Sequence, residues 1–282
     1  MKQTSFEVLL ELAINEDLAE EGDVTSKAIF GNDVVTARLH SKDSGILAGK
    51  EYFAKVFARI DPSTELTFFF ADGDAIQPGD IVAEVRGKTI SILTAERIAL
   101  NFLGYLSGIA TVTRSFARLQ QGKTRILDTR KTLPGYRELA KYAVTRGGGT
   151  NHRMGLYDMV MIKDNHIDAA GSIQRAVSLV KERWGNRYRI EVECRNAEEV
   201  REALDAGADI IMLDNMGPGA AAECLKTGSG NVAFEASGDM SLEKIGEYME
   251  IGLDYISVGK LTHSVKNFDF SLKIAEHKND AF

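Results

Sequence analysis

Between positions 125 and 153 the chain sets seven basic side chains, Arg125, Arg130, Lys131, Arg137, Lys141, Arg146 and Arg153, against only Asp128 and Glu138. The same stretch holds Gly147-Gly148-Gly149 and His152. Arginine offers a planar fork of N–H donors that matches carboxylates and phosphates, and such a cluster repels itself unless it faces solvent or an anion. A small molecule with several negative charges is the partner this composition implies. Arg137, Lys141 and Arg146 read as a solvated helix face. The triple glycine reads either as a loop or as backbone that comes close to a ligand.

What could position such chemistry follows from the rest of the chain. From position 125 onward, short apolar runs (125–128, 159–163, 189–193, 210–214, 232–236, 255–258) alternate with helical segments, the pattern of βα units around a parallel sheet, open or closed into a barrel. The residues at or just past the C-terminal ends of these runs are Asp128 with Arg130 and Lys131, Lys163, Glu193, Asp214, Ser237 with Gly238, and Gly259. In parallel α/β folds the loops converge at that end and ligands bind there. One charged residue leaving a strand is ordinarily entering solvent. Recurrence over six strands indicates one polar site.

The first third reads as a small antiparallel α+β module. It has an amphipathic N-terminal helix through Phe6, Leu9, Leu10, Ala13 and Ile14, a strand over 34–40, a helix over 51–60, and strands near 66–70, 81–85 and 89–93. Thr94 is expected to cap a long helix that starts at Ala95-Glu96-Arg97, runs toward Gln121 and is weakened at Gly104 and Gly108. Gly228 and Gly230 read as turn glycines. The domain boundary is placed between 1–108 and 109–282, with the last helix allowed to pack back on the N-terminal domain.

Composition bounds the rest. With 282 residues, 44% hydrophobic side chains and a net charge of −7, the chain has the makings of a globular protein and no net attraction to nucleic acid or anionic membrane. Cys194 and Cys224 stand alone without the spacing of a structural metal site, which reads as a reduced, cytoplasmic protein. No stretch approaches the ~20 apolar residues a membrane span needs.

The residues also carry a resemblance. Thr129-Arg130-Lys131-Thr132, Pro134-Gly135, Lys141-Tyr142-Ala143-Val144, Gly147-Gly148-Gly149, Asn151-His152-Arg153, Gly155-Leu156 and Ile162-Lys163-Asp164-Asn165-His166 together resemble the quinolinate phosphoribosyltransferases. The likeness extends over nearly the whole chain, through Glu16-Asp17-Leu18, Gly22-Asp23-Val24-Thr25-Ser26, Ala95-Glu96-Arg97, Leu106-Ser107-Gly108-Ile109-Ala110-Thr111, Met212-Leu213-Asp214-Asn215-Met216 and Gly259-Lys260-Leu261-Thr262-His263-Ser264.

The resemblance implies a C-terminal α/β barrel of parallel strands, of the type II phosphoribosyltransferase kind, behind an N-terminal α+β sandwich. It implies the reaction of quinolinate with phosphoribosyl pyrophosphate to give nicotinate mononucleotide, pyrophosphate and carbon dioxide in NAD biosynthesis, with Mg2+. Position by position, it places Arg130, His152, Arg153 and Lys163 around the quinolinate carboxylates, with Arg97 arriving from the second subunit of a homodimer. Lys131, Ser237, Gly238, Gly259 and His263 would hold phosphoribosyl pyrophosphate. Glu193 and Asp214 would serve the metal and the ribose hydroxyls, and Lys131, Lys163, Glu193 and Asp214 would be the catalytic set.

Asp239 departs from the family pattern, in which Gly or Asn commonly follows Ser-Gly, and adds a negative charge to the expected phosphate loop. Three other readings stay open at this stage. They are a relative acting on nicotinate or another anionic acceptor, a barrel aldolase with Lys163 as Schiff-base amine, and a sensor that keeps the anion site without turnover.

Overall fold

The computed structural model describes residues 4–228 and 232–275, so Gly230 and any helix beyond position 275 lie outside the described residues. Contacts divide the chain into two units. One comprises the chain through Arg114, Leu133–Gly148 and the segment from Val265; the other comprises Ser115–Thr132 and Gly149–Ser264.

In chain order the elements are α1 (Ser5–Leu18), α2 (Val24–Ile29), β1 (Val34–Ser41), β2 (Gly45–Ile46), α3 (Lys50–Ile60), β3 (Glu65–Phe68), β4 (Ala75–Ile76), β5 (Ile81–Lys88) and α4 (Thr89–Ala117). They continue with β6 (Arg125–Leu127), α5 (Arg137–Gly147), β7 (Val160–Ile162), α6 (Asp164–Ala170), α7 (Ile173–Trp184), β8 (Ile190–Cys194), α8 (Ala197–Asp205) and β9 (Ile210–Asp214). The last are α9 (Pro218–Thr227), β10 (Ala233–Ser237), α10 (Leu242–Met249), β11 (Tyr255–Ser257), α11 (Lys260–His263) and β12 (Phe270–Ile274).

The first unit is built on an antiparallel sheet in the order β12-β1-β5-β3. Its opening helix α1 is started by a capping box. The Glu7 N–H donates to Thr4 Oγ1, and the Thr4 N–H donates to Glu7 Oε2.

Three expectations are corrected here. Residues 89–93 are helix rather than strand, and Thr94 lies inside α4 rather than capping it. The alternation that suggested a strand ends at Lys88, because the N–H and hydroxyl of Thr89 both donate to the Asp33 carbonyl, at 2.8 and 3.1 Å. From there Ile92, Ala95 and Ala99 are buried at helical spacing. The third is Lys141, which is buried rather than solvated, because Leu139, Ala140 and Lys141 are covered in succession on α5. Gly104 and Gly108 do not interrupt α4; a Cβ on Gly108 would lie 2.3 Å from the Lys266 carbonyl, so glycine admits the chain that leads into β12.

The second unit holds six parallel strands in the order β6-β11-β10-β9-β8-β7. The two edge strands, β6 and β7, are consecutive in the chain, which is the order of a barrel opened between its first two strands. Residues 150–153 fill that opening. Thr150 pairs with β6 through the Ile126 and Asp128 backbones, at 2.8 and 3.1 Å. The Arg153 guanidinium donates to the Met159 carbonyl just ahead of β7, at 3.1 Å.

Side chains alternate along each strand. Val192, Ile211, Leu213, Phe234 and Ala236 are buried toward the surrounding helices, with α8 packed on β8 and β9. Glu191, Glu193, Met212, Asp214, Glu235, Ser237, Tyr255 and Ser257 take the alternate positions and face the interior. Ser172, Asn196 and Ser241 cap α7, α8 and α10 and so set where the returning helices begin. No helix among the described residues is long and apolar enough to cross a membrane.

Candidate active site

At the C-terminal ends of the barrel strands a cavity of about 250 Å³ is lined by Arg130, Lys131, His152, Arg153, Lys163, Glu193, Asp214, Ser237, Gly238 and Gly259, with Thr129, Met161, Met212 and Ser257. A second cavity of about 290 Å³ shares Lys131, Asp214, Ser237, Gly238 and Gly259 with it and adds Asn215, Asp239, Met240, Lys260 and His263. Eleven of the twelve residues singled out from the sequence therefore converge on two adjoining spaces. Arg97 is the exception. It lies in the first unit, where it lines a cavity of about 450 Å³ with Glu16, Asp17, Asn101, Phe102 and Tyr136 among others.

Local structure places each group. The loop after β6 turns tightly, with the Lys131 N–H on Thr129 Oγ1 (3.1 Å) and the Thr262 hydroxyl on the Lys131 carbonyl (2.8 Å), so α11 holds the Lys131 backbone. A Cβ at position 259 would come 3.0 Å from the His263 ring and 3.2 Å from the Lys131 side chain, so both side chains pack closely on this backbone. The Lys163 ammonium is bonded to Glu193, from the end of β7 to the end of β8. Asp214 Oδ2 accepts from Asn215 Nδ2 at 2.9 Å.

The charge balance of the first cavity is cationic at its Arg130 and Arg153 side. Burial, then the charge of Arg130, lowers the Arg153 pKa from its ordinary value, and both arginines line the same space, which has room for an anion. Asp239 has its carboxylate 2.8 Å from Lys260 and 3.6 Å from Lys244, and Lys260 above all holds its pKa below the ordinary value. The extra negative charge in this loop is thus paired with a lysine of the same cavity.

Two side chains that the reading of strand ends missed stand one pleat deeper. Glu191 and Glu235 are fully buried in the barrel interior, with carboxylate oxygens 3.2 and 3.3 Å from His152 Nε2. Burial lowers the basicity of His152, while the two carboxylates raise it. On the other ring nitrogen, the Arg153 N–H donates to Nδ1 at 2.7 Å, which opposes a second ring proton and puts the first on Nε2. Burial raises the pKa of Glu191, and His152 and Arg153 draw it back only in part. The signal in the sequence was the period of two that places Glu191 with Glu193, and Glu235 with Ser237, on one face of otherwise apolar strands.

Below this layer a third cavity of about 410 Å³ opens at the N-terminal ends of the strands, lined by Met159, Arg187, Tyr188, Arg189, Ile210 and Tyr255 among others, and reaches His152, Arg153 and Glu235 from the opposite side.

Two groupings could be asked to hold a metal. His152, Glu191 and Glu235 offer ligand atoms within 4.8 Å of one another, but a proton on Nε2 removes the lone pair a metal would need. Glu193 and Asp214 share one cavity without a closed protein cage, the donor set Mg2+ takes when substrate phosphates complete its shell.

Comparison with known proteins places the whole chain in one family. Residues 23–107 match the family model of the quinolinate phosphoribosyl transferase N-terminal domain, and residues 109–273 that of its C-terminal domain. A probable nicotinate-nucleotide pyrophosphorylase (carboxylating) of Bacillus subtilis is 42% identical over 275 residues, covering 97% of this chain and 95% of the relative. Among solved structures, NadC from Streptococcus pyogenes superposes with a TM-score of 0.92 at 38% identity, covering 98% of this chain and 100% of that one. The nicotinate-nucleotide pyrophosphorylase from Francisella tularensis gives 0.92 at 39%, covering 96% of each chain.

Proposed function

The chain belongs to the quinolinate phosphoribosyltransferase family, and from that premise we infer how its residues carry the reaction. Quinolinate and phosphoribosyl pyrophosphate give nicotinate mononucleotide, pyrophosphate and carbon dioxide, a step of NAD biosynthesis. The observation that carries the residue assignment is the convergence of Arg130, Lys131, Arg153, Lys163, Glu193 and Asp214 on one cavity at the strand ends.

Quinolinate is a dianion. Arg130, Arg153 and Lys163 match its carboxylates, with His152 walling the same space, and a carboxylate there relieves the mutual repulsion of the two guanidinium groups. Lys131, Ser237, Gly238, Gly259 and His263 line the adjoining cavity and hold the phosphoribosyl group. Held this way, the pyridine nitrogen faces the anomeric carbon. Its lone pair forms the new C–N bond as the bond to pyrophosphate breaks, and the Lys131 ammonium offsets charge gathering on the leaving oxygen. The ring is then a pyridinium. It takes up the electron pair released when the adjacent carboxylate leaves as carbon dioxide, Lys163 stabilises that carbon, and a proton completes it.

Glu193 and Asp214 would hold Mg2+, which would supply charge neutralisation for the phosphate oxygens. The Lys163 side chain is engaged by Glu193, which weighs against its serving as the Schiff-base amine of an aldolase. A homodimer in which Arg97 completes the neighbour's site is the assembly we favour; its support is the cavity that Arg97 shares with the exposed Leu12. A cytoplasmic location is in keeping with two free, buried cysteines.

The test is to supply quinolinate, phosphoribosyl pyrophosphate and Mg2+ and to follow nicotinate mononucleotide and carbon dioxide together, with nicotinate as parallel acceptor. Equimolar products from quinolinate are expected. Product from nicotinate alone would move the carboxylate assignments, and quinolinate binding without product would favour the sensor. Mixing Arg97→Ala with Lys131→Ala protein is expected to restore activity if sites are shared between subunits, and no restoration would remove Arg97 from the neighbour's site.

A further inference from the structure

We propose that Glu191 and Glu235 are positioning residues that hold the ring proton of His152 on Nε2 and so fix the His152–Arg153 wall of the substrate cavity. This rests on quinolinate as the acceptor of that cavity.

Two carboxylates without solvent contact are costly, and replacement of buried ionic groups by apolar ones is often neutral or stabilising, so core packing alone gives no reason for them. Their surroundings do. Glu191 comes from β8 and Glu235 from β10, and both converge on one atom of a residue that lies on neither strand. His152 belongs to the short segment filling the opening between β6 and β7, where strand pairing is reduced to the bridge at Thr150.

That segment is held instead by side chains. Asp128, fully buried, accepts the His152 N–H at 2.8 Å; Nδ1 accepts the Arg153 N–H; and the Arg153 guanidinium reaches the Met159 carbonyl. Nε2 is the one ring atom facing the barrel interior, and Glu191 and Glu235 receive it. With Nδ1 bonded to the Arg153 N–H and Nε2 within 3.3 Å of both carboxylates, the ring is engaged inside the protein and acts as a fixed wall of the cavity. The groups reaching the substrate are then those it positions, above all Arg153. A proton held on Nε2 is also what excludes a metal ion from this cluster.

The test combines kinetics with a direct view of the ring. Glu191→Ala and Glu235→Ala are expected to raise KM for quinolinate about tenfold or more while KM for phosphoribosyl pyrophosphate stays within about twofold, since a wall shifted by an ångström misplaces only the acceptor. Glu191→Gln and Glu235→Gln, which keep an acceptor oxygen, are expected to lose less than the alanine variants. In protein labelled with 15N-histidine, the five histidines are resolved and His152 is identified by His152→Asn. Its Nε2 should be protonated at pH 7.5 in the parent and exchange between ring nitrogens in the Glu191→Ala/Glu235→Ala double variant.

An unprotonated Nε2 in the parent, equal changes in the two KM values, glutamine variants as impaired as alanine, or one equivalent of metal lost on mutation would each overturn the proposal. If a variant fails to fold, the parent spectrum alone still decides it. If the parent turns over no quinolinate, the functional reading fails while the spectrum tests the His152 assignment independently.

Discussion

The barrel interior holds two layers of charge that differ in what their charges face. In the upper layer, Lys131, Lys163, Glu193 and Asp214 stand where strands end and loops begin, at the margin of cavities large enough for a ligand. In the lower layer, one pleat down, Glu191 and Glu235 are buried and gather around His152. The same residue types thus serve two ends: above, charges at the margin of a cavity, where even the Lys163–Glu193 pair can be approached by a ligand; below, charges gathered around one imidazole inside the fold. Substitutions above should therefore cost turnover with little change in stability, and substitutions below should reach activity through geometry or cost stability outright.

Lys163→Ala sharpens the contrast most. Removing the cation assigned to the carbon that loses its carboxylate is expected to lower kcat about a hundred- to thousandfold, with an unfolding midpoint close to that of the parent. Near-normal turnover in a coupled assay would withdraw that role. Arg130→Ala is next, with KM for quinolinate raised about tenfold or more and KM for phosphoribosyl pyrophosphate nearly unchanged, the loss of a charge-assisted bond to one substrate. Equal effects on both would take Arg130 out of the acceptor site.

Asp128→Ala probes the lower layer. It strips the His152 N–H of a buried acceptor, and urea denaturation should register a loss of about 1–3 kcal/mol. An unchanged midpoint would mean the segment over 150–153 is held by other bonds. The smallest effect is expected at Asp239. Asp239→Asn frees Lys260 and should lower KM for phosphoribosyl pyrophosphate about two- to fivefold, the scale of an exposed ion pair. A higher KM would show that the carboxylate helps to place the lysine instead.

The two layers were not equally legible in the sequence. The upper one was, because a charged residue that ends an apolar run marks a strand terminus, and six such termini in a parallel arrangement must meet at one end; Lys163, Glu193 and Asp214 are examples. Of the lower one only His152 was, because Glu191 and Glu235 sit inside strands rather than at their ends. Elsewhere the misreadings have local causes. The apolar, β-branched run after Lys88 matches a strand as well as a buried helix, and only the bonds from Thr89 to Asp33 decide it. Lys141 carries a charge that spacing assigns to solvent, yet α5 is covered on more than one side. The bridge that adds Thr150 to β6 left no periodic trace, since a single paired residue has no period.

The most direct test of the account is a structure of the protein with quinolinate bound. The two layers predict carboxylates against Arg130, Arg153 and Lys163 in the cavity at the C-terminal strand ends, with His152 Nε2 still on Glu191 and Glu235. Quinolinate lodged instead in the cavity at the N-terminal ends, beside Arg187 and Arg189, or a His152 ring turned to bond the ligand, would contradict it.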